Sequence, residues 1–157
     1  KIPNQCSADL TVAASIPDRY VPSPQQRMDL YRRIALIRSE SDADDLTDEL
    51  IDRYGDPPRP VNNLISVALL RSEAARCGIT ELTQKGNNLV LGLAAFNLQE
   101  VSALCGGERW QGRLLFSPGE KAALTLRLKK GENPLSLART LVGDYARLQG
   151  EPADADA

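Results

Sequence analysis

The hydrophobic pattern of the chain changes period near Gly78, and this change constrains the fold more than any other feature. Before Gly78, apolar residues recur every three to four positions, which is typical of amphipathic helices. After it, two pairs of short alternating segments enclose the turns Lys85–Asn88 and Ser117–Glu120, which predicts two β-hairpins. Asn97 opens a helix between the hairpins, and Asn133 opens a last helix after them. We therefore predict an α+β fold, with a helical N-terminal half packed on a small mixed or antiparallel sheet made of hairpins, and a C-terminal helix.

Capping residues and helix breakers place the predicted elements along the chain. Ser23, with Gln26 three residues later, predicts a capping box at the start of the first helix, whose predicted core face includes Met28, Tyr31, Ile34 and Ala35. Ser41 predicts the start of the second helix, and Gly55 followed by Pro57 predicts its end. The remaining predictions are a strand from Asp9 to Ile16 that joins the sheet, a helix from Pro60 to Cys77, hairpin strands Ile79–Gln84 with Leu89–Leu93 and Gln111–Phe116 with Ala122–Leu128, and helices from Asn97 to Leu104 and from Asn133 onwards.

The second predicted helix, Asp42–Tyr54, carries a row of acids on the side opposite its apolar residues. The row consists of Asp45, Asp48, Glu49 and Asp52. Like charges at this spacing repel each other by about 0.2–0.5 kcal/mol per pair, and Arg53 is the intrahelical partner at the right distance from Glu49. The row is either a solvated acidic face, which the pattern alone favours, or a docking surface for a basic partner.

Arg32 and Arg33 of the first predicted helix also have two interpretations. They form either a basic patch for phosphate or surface ion pairs, and the nearby Asp29 and acidic helix favour pairing.

The docking interpretation of the acidic row makes a stricter demand. It requires that all four acids face water and stay free of cations from the same chain.

Length and composition predict one domain of a longer polypeptide. A chain of 157 residues suffices for one hydrophobic core, so we predict a lead-in with one strand (1–22), the body of a single domain (23–149) and a disordered acidic tail (150–157). The sequence starts at Lys1, and its one methionine is Met28, so we expect it to be a fragment. It contains no long apolar run and no signal-peptide pattern, which favours a cytoplasmic location.

The sequence lacks most of the residue types and motifs that catalysis and metal binding use. The chain has no histidine, and its three cysteines have no Cys-x-x-Cys spacing, so we expect reduced thiols and no metal or cofactor. Neither a phosphate-binding glycine loop nor a nucleophile elbow occurs, which argues against an enzyme. Trp110 is expected in the core. The net charge of −2 disfavours direct binding of nucleic acid.

Several motifs together resemble one known family. Residues 49–58 read Glu-Leu-Ile-Asp-Arg-Tyr-Gly-Asp-Pro-Pro, and the other matching segments are Ile16–Val21, Leu30–Ala35, Val67–Arg71 and Gly78-Ile79. With these motifs the chain resembles the C-terminal domain of bacterial transcription-repair coupling factors. The resemblance is clear from about Asp9 to Ile79 and continues as a matching order of elements to Gln149. Tyr54 stands where the family frequently has Phe.

The resemblance implies a regulatory domain without catalysis of its own. The family's parent is an ATP-dependent DNA translocase that displaces stalled RNA polymerase and recruits excision repair through UvrA. Its C-terminal domain folds back on an N-terminal UvrB-like module and thereby hides the UvrA-binding surface. The residues implicated there correspond to Glu49, Asp52 and Arg53, and Asp48 and Asp45 extend the same row. The implied partners are that module directly, and UvrA and RNA polymerase through the parent.

A second function is compatible with the same acids. A row of carboxylates can imitate a nucleic-acid backbone and block a basic groove of the adjacent motor domain. Crosslinking from the acidic row distinguishes the two, since it labels the N-terminal module in one case and the motor in the other.

Overall fold

The computed structural model describes residues 5–150, within which five helices and a five-stranded mixed sheet confirm the α+β class. The helices are α1 (Pro24–Ala35), α2 (Glu40–Tyr54), α3 (Arg59–Arg76), α4 (Leu98–Cys105) and α5 (Pro134–Leu148). The strands are β1 (Ser7–Asp9), β2 (Ile79–Lys85), β3 (Asn88–Leu93), β4 (Leu114–Ser117) and β5 (Ala123–Arg127). Their order in the sheet is β1-β2-β3-β5-β4.

The chain divides into two compact units. Val12–Leu69 form the helical unit, which holds α1, α2 and most of α3. Residues 5–11 and 70–150 form the sheet unit, which holds the sheet, α4 and α5. The prediction of a single domain stays a prediction. The start of the predicted lead-in (1–4) and the predicted acidic tail from 151 onwards lie outside the described residues.

The core of the helical unit differs in detail from the predicted apolar faces. On α1 the buried residues are Leu30 and Ile34, whereas Met28, predicted to face the core, is 54% exposed. On α2 the residues Ala43, Leu46 and Leu50 are buried. These side chains pack in one cluster with apolar residues of α3. A helix with apolar residues on more than one side does not reveal which side meets its neighbours.

The cap of α1 is confirmed, but the predicted capping box is only half formed. The Ser23 hydroxyl accepts a hydrogen bond from the Gln26 backbone N–H at 3.3 Å, and Pro24 takes the first helical position. The Gln26 side chain instead accepts a hydrogen bond from the Tyr54 hydroxyl at 2.9 Å. Its amide therefore links α1 to α2 and does not close its own helix.

The start of α2 was predicted two residues too late. Ser39, not Ser41, is the N-cap, and its hydroxyl accepts a hydrogen bond from the Asp42 N–H at 3.1 Å. Both serines precede acids that suit the first turn, so the sequence did not separate them. The end of the helix is as predicted: Gly55 has a φ of 85°, a value that favours glycine, and its N–H donates to the Ile51 carbonyl.

The sheet is built from two hairpins at the predicted turns and one parallel edge strand, but β4 begins at Leu114, three residues later than predicted, because residues 111–113 form a turn. β2 pairs antiparallel with β3 across the predicted turn, and β4 pairs antiparallel with β5. The first strand lies earlier than predicted. It is β1, which runs parallel to β2 with Asp9 opposite Thr83. The alternating residues after it are not a strand. Within that segment Ile16 is buried in the helical unit, and its N–H donates to the Tyr31 hydroxyl.

Register partners assign the side chains of the sheet to two faces. Leu82, Leu91 and Leu124 lie opposite one another on β2, β3 and β5, and all three are buried. The alternate positions, which include Thr83 and Thr125, belong to the outer face and are partly accessible. Trp110, in the turn between α4 and β4, is buried as predicted.

Candidate functional site

Three of the four acids in the predicted row stand free on the surface of α2. Asp45, Asp48 and Asp52 are exposed, on the side of the helix opposite its buried leucines. Within the part of the chain that the structure describes, their side chains form no hydrogen bond or ion pair. The acidic row is therefore present. The docking interpretation demands acids that face water and stay free of cations from the same chain, and these three positions meet that demand.

Glu49 does not meet that demand. Its carboxylate accepts two hydrogen bonds from the Arg33 guanidinium, Nη1 to Oε2 at 2.6 Å and Nη2 to Oε1 at 2.7 Å. Arg53, one turn later on α2, donates a third to Oε2 at 3.2 Å. The expectation that Glu49 stays free of cations from its own chain is wrong. The physical reason is that α1 places Arg33 beside it, and the pattern of α2 alone contains no trace of that neighbour.

Arg53 is held from two sides. Besides Glu49, it contacts the ring of Tyr54, with its guanidinium carbon 5.0 Å from the ring centre. The Tyr54 ring is in turn fixed by its hydrogen bond to Gln26 and by the neighbouring ring of Tyr20 at 5.7 Å. The side chain of Arg53 nevertheless remains 45% exposed. Its guanidinium is thus oriented by the protein and still available to a partner.

The two arginines control the ionisation of Glu49. The hydrogen bonds from Arg33, and secondarily those from Arg53, lower the pKa of this carboxyl from 4.5 to about 2, although partial burial opposes the shift. The same hydrogen bonds raise the pKa of Arg33. Glu49 is therefore a carboxylate under all ordinary conditions, and its charge is already balanced.

The exposed groups of α2 can form paired, charge-assisted hydrogen bonds with charged partners. Free carboxylates at Asp48 and Asp52 can each accept paired hydrogen bonds from an external arginine, and Arg53 can donate to an external acid. No group of three histidine, cysteine or acidic side chains in residues 5–150 is placed to hold a metal ion. Among the same residues, no helix is long and apolar enough to cross a membrane.

The prediction that Arg33 pairs with the acidic helix is confirmed, and this pairing makes Arg33 part of the site. A second polar cluster had no signal in the sequence at all. Asp144 of α5 accepts hydrogen bonds from the Trp110 indole at 2.8 Å, from Arg109 at 3.1 Å, and from Arg147. This cluster lines a cleft of about 430 Å³. Arg109 and Trp110 lie 35 and 34 positions before Asp144, so only the fold brings them to it.

Comparison with known proteins gives consistent matches. The model of the TRCF domain family matches residues 10–103. The transcription-repair-coupling factor of Escherichia coli (strain K12) is 32% identical over 102 residues, which cover 65% of this chain and 9% of that protein. The factor of the same name from Mycobacterium tuberculosis is 40% identical over 81 residues, or 52% of this chain and 7% of that protein. The chain thus spans less than a tenth of the length of these relatives.

A solved structure matches the fold over nearly the whole chain. It is described as the crystal structure of the C-terminal domain of a transcription-repair coupling factor. The match has a TM-score of 0.79 and covers 96% of this chain and 98% of that one, at 17% sequence identity. At this level of identity the likeness concerns the fold.

Proposed function

The chain belongs to the TRCF domain family, and from this premise we propose that it is a regulatory, non-catalytic interaction domain of a transcription-repair coupling factor. In that factor the domain docks on the N-terminal UvrB-like module and masks the surface that binds UvrA. The ATP-dependent translocation that displaces stalled RNA polymerase belongs to other parts of the same polypeptide. The domain's task is to keep the repair-recruiting surface closed until the factor is remodelled.

One observation carries the proposal: Asp48 and Asp52 are exposed and unpaired beside an oriented Arg53 on α2. The helix is capped by Ser39 and Gly55 and anchored by buried leucines, so it presents these groups on a rigid element. A partner surface with arginines opposite the two aspartates, and an acid near Arg53, fits this arrangement of charges.

The polar character of the surface also suits a contact that must open again. Charge pairs at the edge of an interface steer and orient the partners more than they add to affinity. A large apolar contact would release its partner slowly. Ile51, the one large apolar side chain of α2 with substantial exposure, lies one turn after Asp48 and adds a limited apolar contact.

Glu49 has a different role in this proposal from that of the two aspartates. Both of its oxygens are engaged by Arg33, and one of them also by Arg53, so little acceptor capacity is left for an external arginine. We assign Asp48, Asp52 and Arg53 as contact residues. Glu49 is a positioning residue that aligns Arg53 and joins α2 to α1.

The test is binding of UvrA to the full-length factor, measured by isothermal titration. Asp48→Asn with Asp52→Asn removes two contact charges and keeps the side-chain shapes. If each surface pair contributes about 0.5 kcal/mol, the open state gains roughly 5-fold in population and apparent UvrA affinity rises accordingly. Glu108→Gln with Glu120→Gln, two exposed acids of the sheet unit, removes the same charge elsewhere and should leave the affinity unchanged.

Equal UvrA affinity in the Asp48/Asp52 variant and the wild type would count against the proposal. A photocrosslinker at position 52 then identifies what α2 contacts. Labelling of the N-terminal module supports the docking function. Labelling of the motor domain supports instead the alternative, in which the acids imitate nucleic acid and block the motor.

A further inference from the structure

Charge is distributed unevenly along the chain, and the net value of −2 conceals this. Residues 12–69 contain 10 acidic and 7 basic side chains, whereas residues 70–150 contain 11 basic and 7 acidic ones. The excess of acids coincides with the helical unit and the excess of bases with the sheet unit. The whole-chain charge is therefore a poor guide to what the sheet unit can bind.

Four exposed cations meet at one end of the sheet. Lys85 is the last residue of β2 and Arg127 the last of β5, and both are aligned with Asn88 of β3. With about 4.8 Å between neighbouring strands, their backbones lie about 10 Å apart and their side chains share the outer face. Lys129 and Lys130 follow in the next turn. We call Lys85, Arg127, Lys129 and Lys130 the basic sheet end; all four side chains are exposed.

The carboxylate closest to this group is already engaged. Glu132 accepts hydrogen bonds from Arg113 at 3.1 and 2.5 Å and from the Lys129 backbone N–H at 2.6 Å. Arg113 also donates to the Arg127 carbonyl, so it lies beneath the turn and ties it to the strand end. Within residues 5–150, none of the four cations of the basic sheet end forms an ion pair. Two further acids share the outer face: Asp9 on the edge strand β1 beside Thr83, and Glu81 on β2, whose side chain lies against Gly92.

The groups around the four cations are mostly small and polar, with the apolar Val90 and Leu115 on the same face. Asn88 and the threonines at 83 and 125 offer amide and hydroxyl groups on the same face. The aromatic pair Phe96 and Phe116 lies elsewhere, because Phe116 is aligned with the buried Leu124 and so points to the opposite face. The basic sheet end thus lacks the aromatic platform that stacks bases, and Leu115, aligned with Thr125 and 66% exposed, is an apolar group beside it on the same face.

We propose that the basic sheet end binds the phosphate backbone of a nucleic-acid duplex without reading its sequence. Lysine, arginine, threonine and asparagine side chains are those that contact phosphate oxygens in such complexes. A duplex presents one charge per about 1.7 Å of its axis, so a surface 10 Å wide faces several phosphates at once. The proposal does not depend on the docking function of α2, which lies in the other unit.

The test is fluorescence anisotropy of a labelled DNA duplex titrated with the 157-residue chain, at salt concentrations from about 50 to 200 mM. The triple variant Lys85→Gln, Arg127→Gln and Lys130→Gln should bind at least about 10-fold more weakly at the lowest salt. The slope of log K against log salt should fall by about 2 to 3, as expected for three lost phosphate contacts. A second duplex of unrelated sequence should bind equally well.

A matched variant removes the same charge from the helical unit: Arg19→Gln, Arg32→Gln and Arg59→Gln, all at exposed positions. It should retain wild-type affinity. Equal losses in both triple variants would show that only overall charge matters and would overturn the proposal. So would the absence of binding by the wild type at the lowest salt. Polyglutamate and unlabelled duplex are then compared as competitors at the same charge concentration. If polyglutamate displaces the labelled duplex more efficiently, the surface belongs to an acidic protein partner instead.

Discussion

The guanidinium of Arg33 and the carboxylate of Glu49 form two parallel hydrogen bonds, at 2.6 and 2.7 Å, between the last turn of α1 and the middle of α2. Because Glu49 also accepts from Arg53, this one carboxylate connects two helices and orients the arginine that faces the surface. Glu49 therefore has a structural role within the acidic row, and the unpaired charges of the row are those of Asp45, Asp48 and Asp52.

The Arg33–Glu49 pair is expected to stabilise the helical unit measurably. Glu49→Gln and Arg33→Gln should each lower the free energy of unfolding by about 1 kcal/mol, since paired, charge-assisted bonds are strong but water screens this half-exposed pair. The double variant should lose little more than either single one, because both remove the same interaction. Urea unfolding measures all three.

Asp48→Asn serves as the control for that cycle. It lies on the same helix without a partner in the described residues, and its effect on stability should stay within about 0.5 kcal/mol. Additive losses in the Arg33/Glu49 double variant would mean that the two side chains act independently, in conflict with the geometry.

Stability should depend on pH through Glu49. Its pKa is about 2 in the folded chain against an ordinary value of 4.5. Because folding lowers this pKa, the stabilisation is complete above pH 4.5 and is lost as the pH falls towards about 2. The difference in free energy of unfolding between the wild type and Glu49→Gln should therefore be largest near about pH 7 and shrink at about pH 2.

Urea titrations across this range provide the measurement. The pKa of Glu132 is also lowered, chiefly by its hydrogen bonds with Arg113, so the wild type loses additional stability over the acidic range. Subtracting the Glu49→Gln variant removes that common part. A difference that stays constant from neutral to acidic pH would contradict the pairing of Glu49.

The Trp110–Asp144 hydrogen bond gives a prediction for the sheet unit. Trp110 is buried, and its indole N–H donates to Asp144 at 2.8 Å. Asp144→Ala leaves this buried donor unpaired and should cost about 1–3 kcal/mol. Asp144→Asn keeps an acceptor, loses only the surface pairs with Arg109 and Arg147, and should cost less than about 1 kcal/mol.

Thermal unfolding followed by tryptophan fluorescence reports this directly, because Trp110 is the only tryptophan. Equal destabilisation by the alanine and asparagine variants would show that the ion pairs, and not the indole hydrogen bond, carry the contribution of Asp144.

Local rules were sufficient where the deciding contacts are close in sequence. Gly55 and the following prolines end α2 because backbone conformation there is a property of those residues themselves. Asn97 and Asn133 cap their helices through bonds to N–H groups two and three residues away. The hairpin between β2 and β3 followed from its turn residues and the alternation on each side.

Predictions went wrong where equivalent residues compete or where a distant segment intervenes. Ser39 and Ser41 are chemically equal caps, and at Ser39 the hydroxyl accepts from the Asp42 N–H while the Asp42 carboxylate accepts from the Arg38 N–H. Met28 is apolar but exposed, since the side of α1 that meets the other helices is set by Leu30 and Ile34.

The sequence by itself determined the α+β class, the order of the elements, the caps at Ser23, Gly55, Asn97 and Asn133, and the row of acids, since each depends on interactions within a few residues. Only the tertiary structure decided which charges are free. Arg33 lies 16 positions from Glu49, and Lys85 lies 42 positions from Arg127. A charged side chain is neutralised when packing brings an opposite charge within about 3–4 Å, and otherwise it stays free. The periodicity of one helix or strand carries no information about that distance.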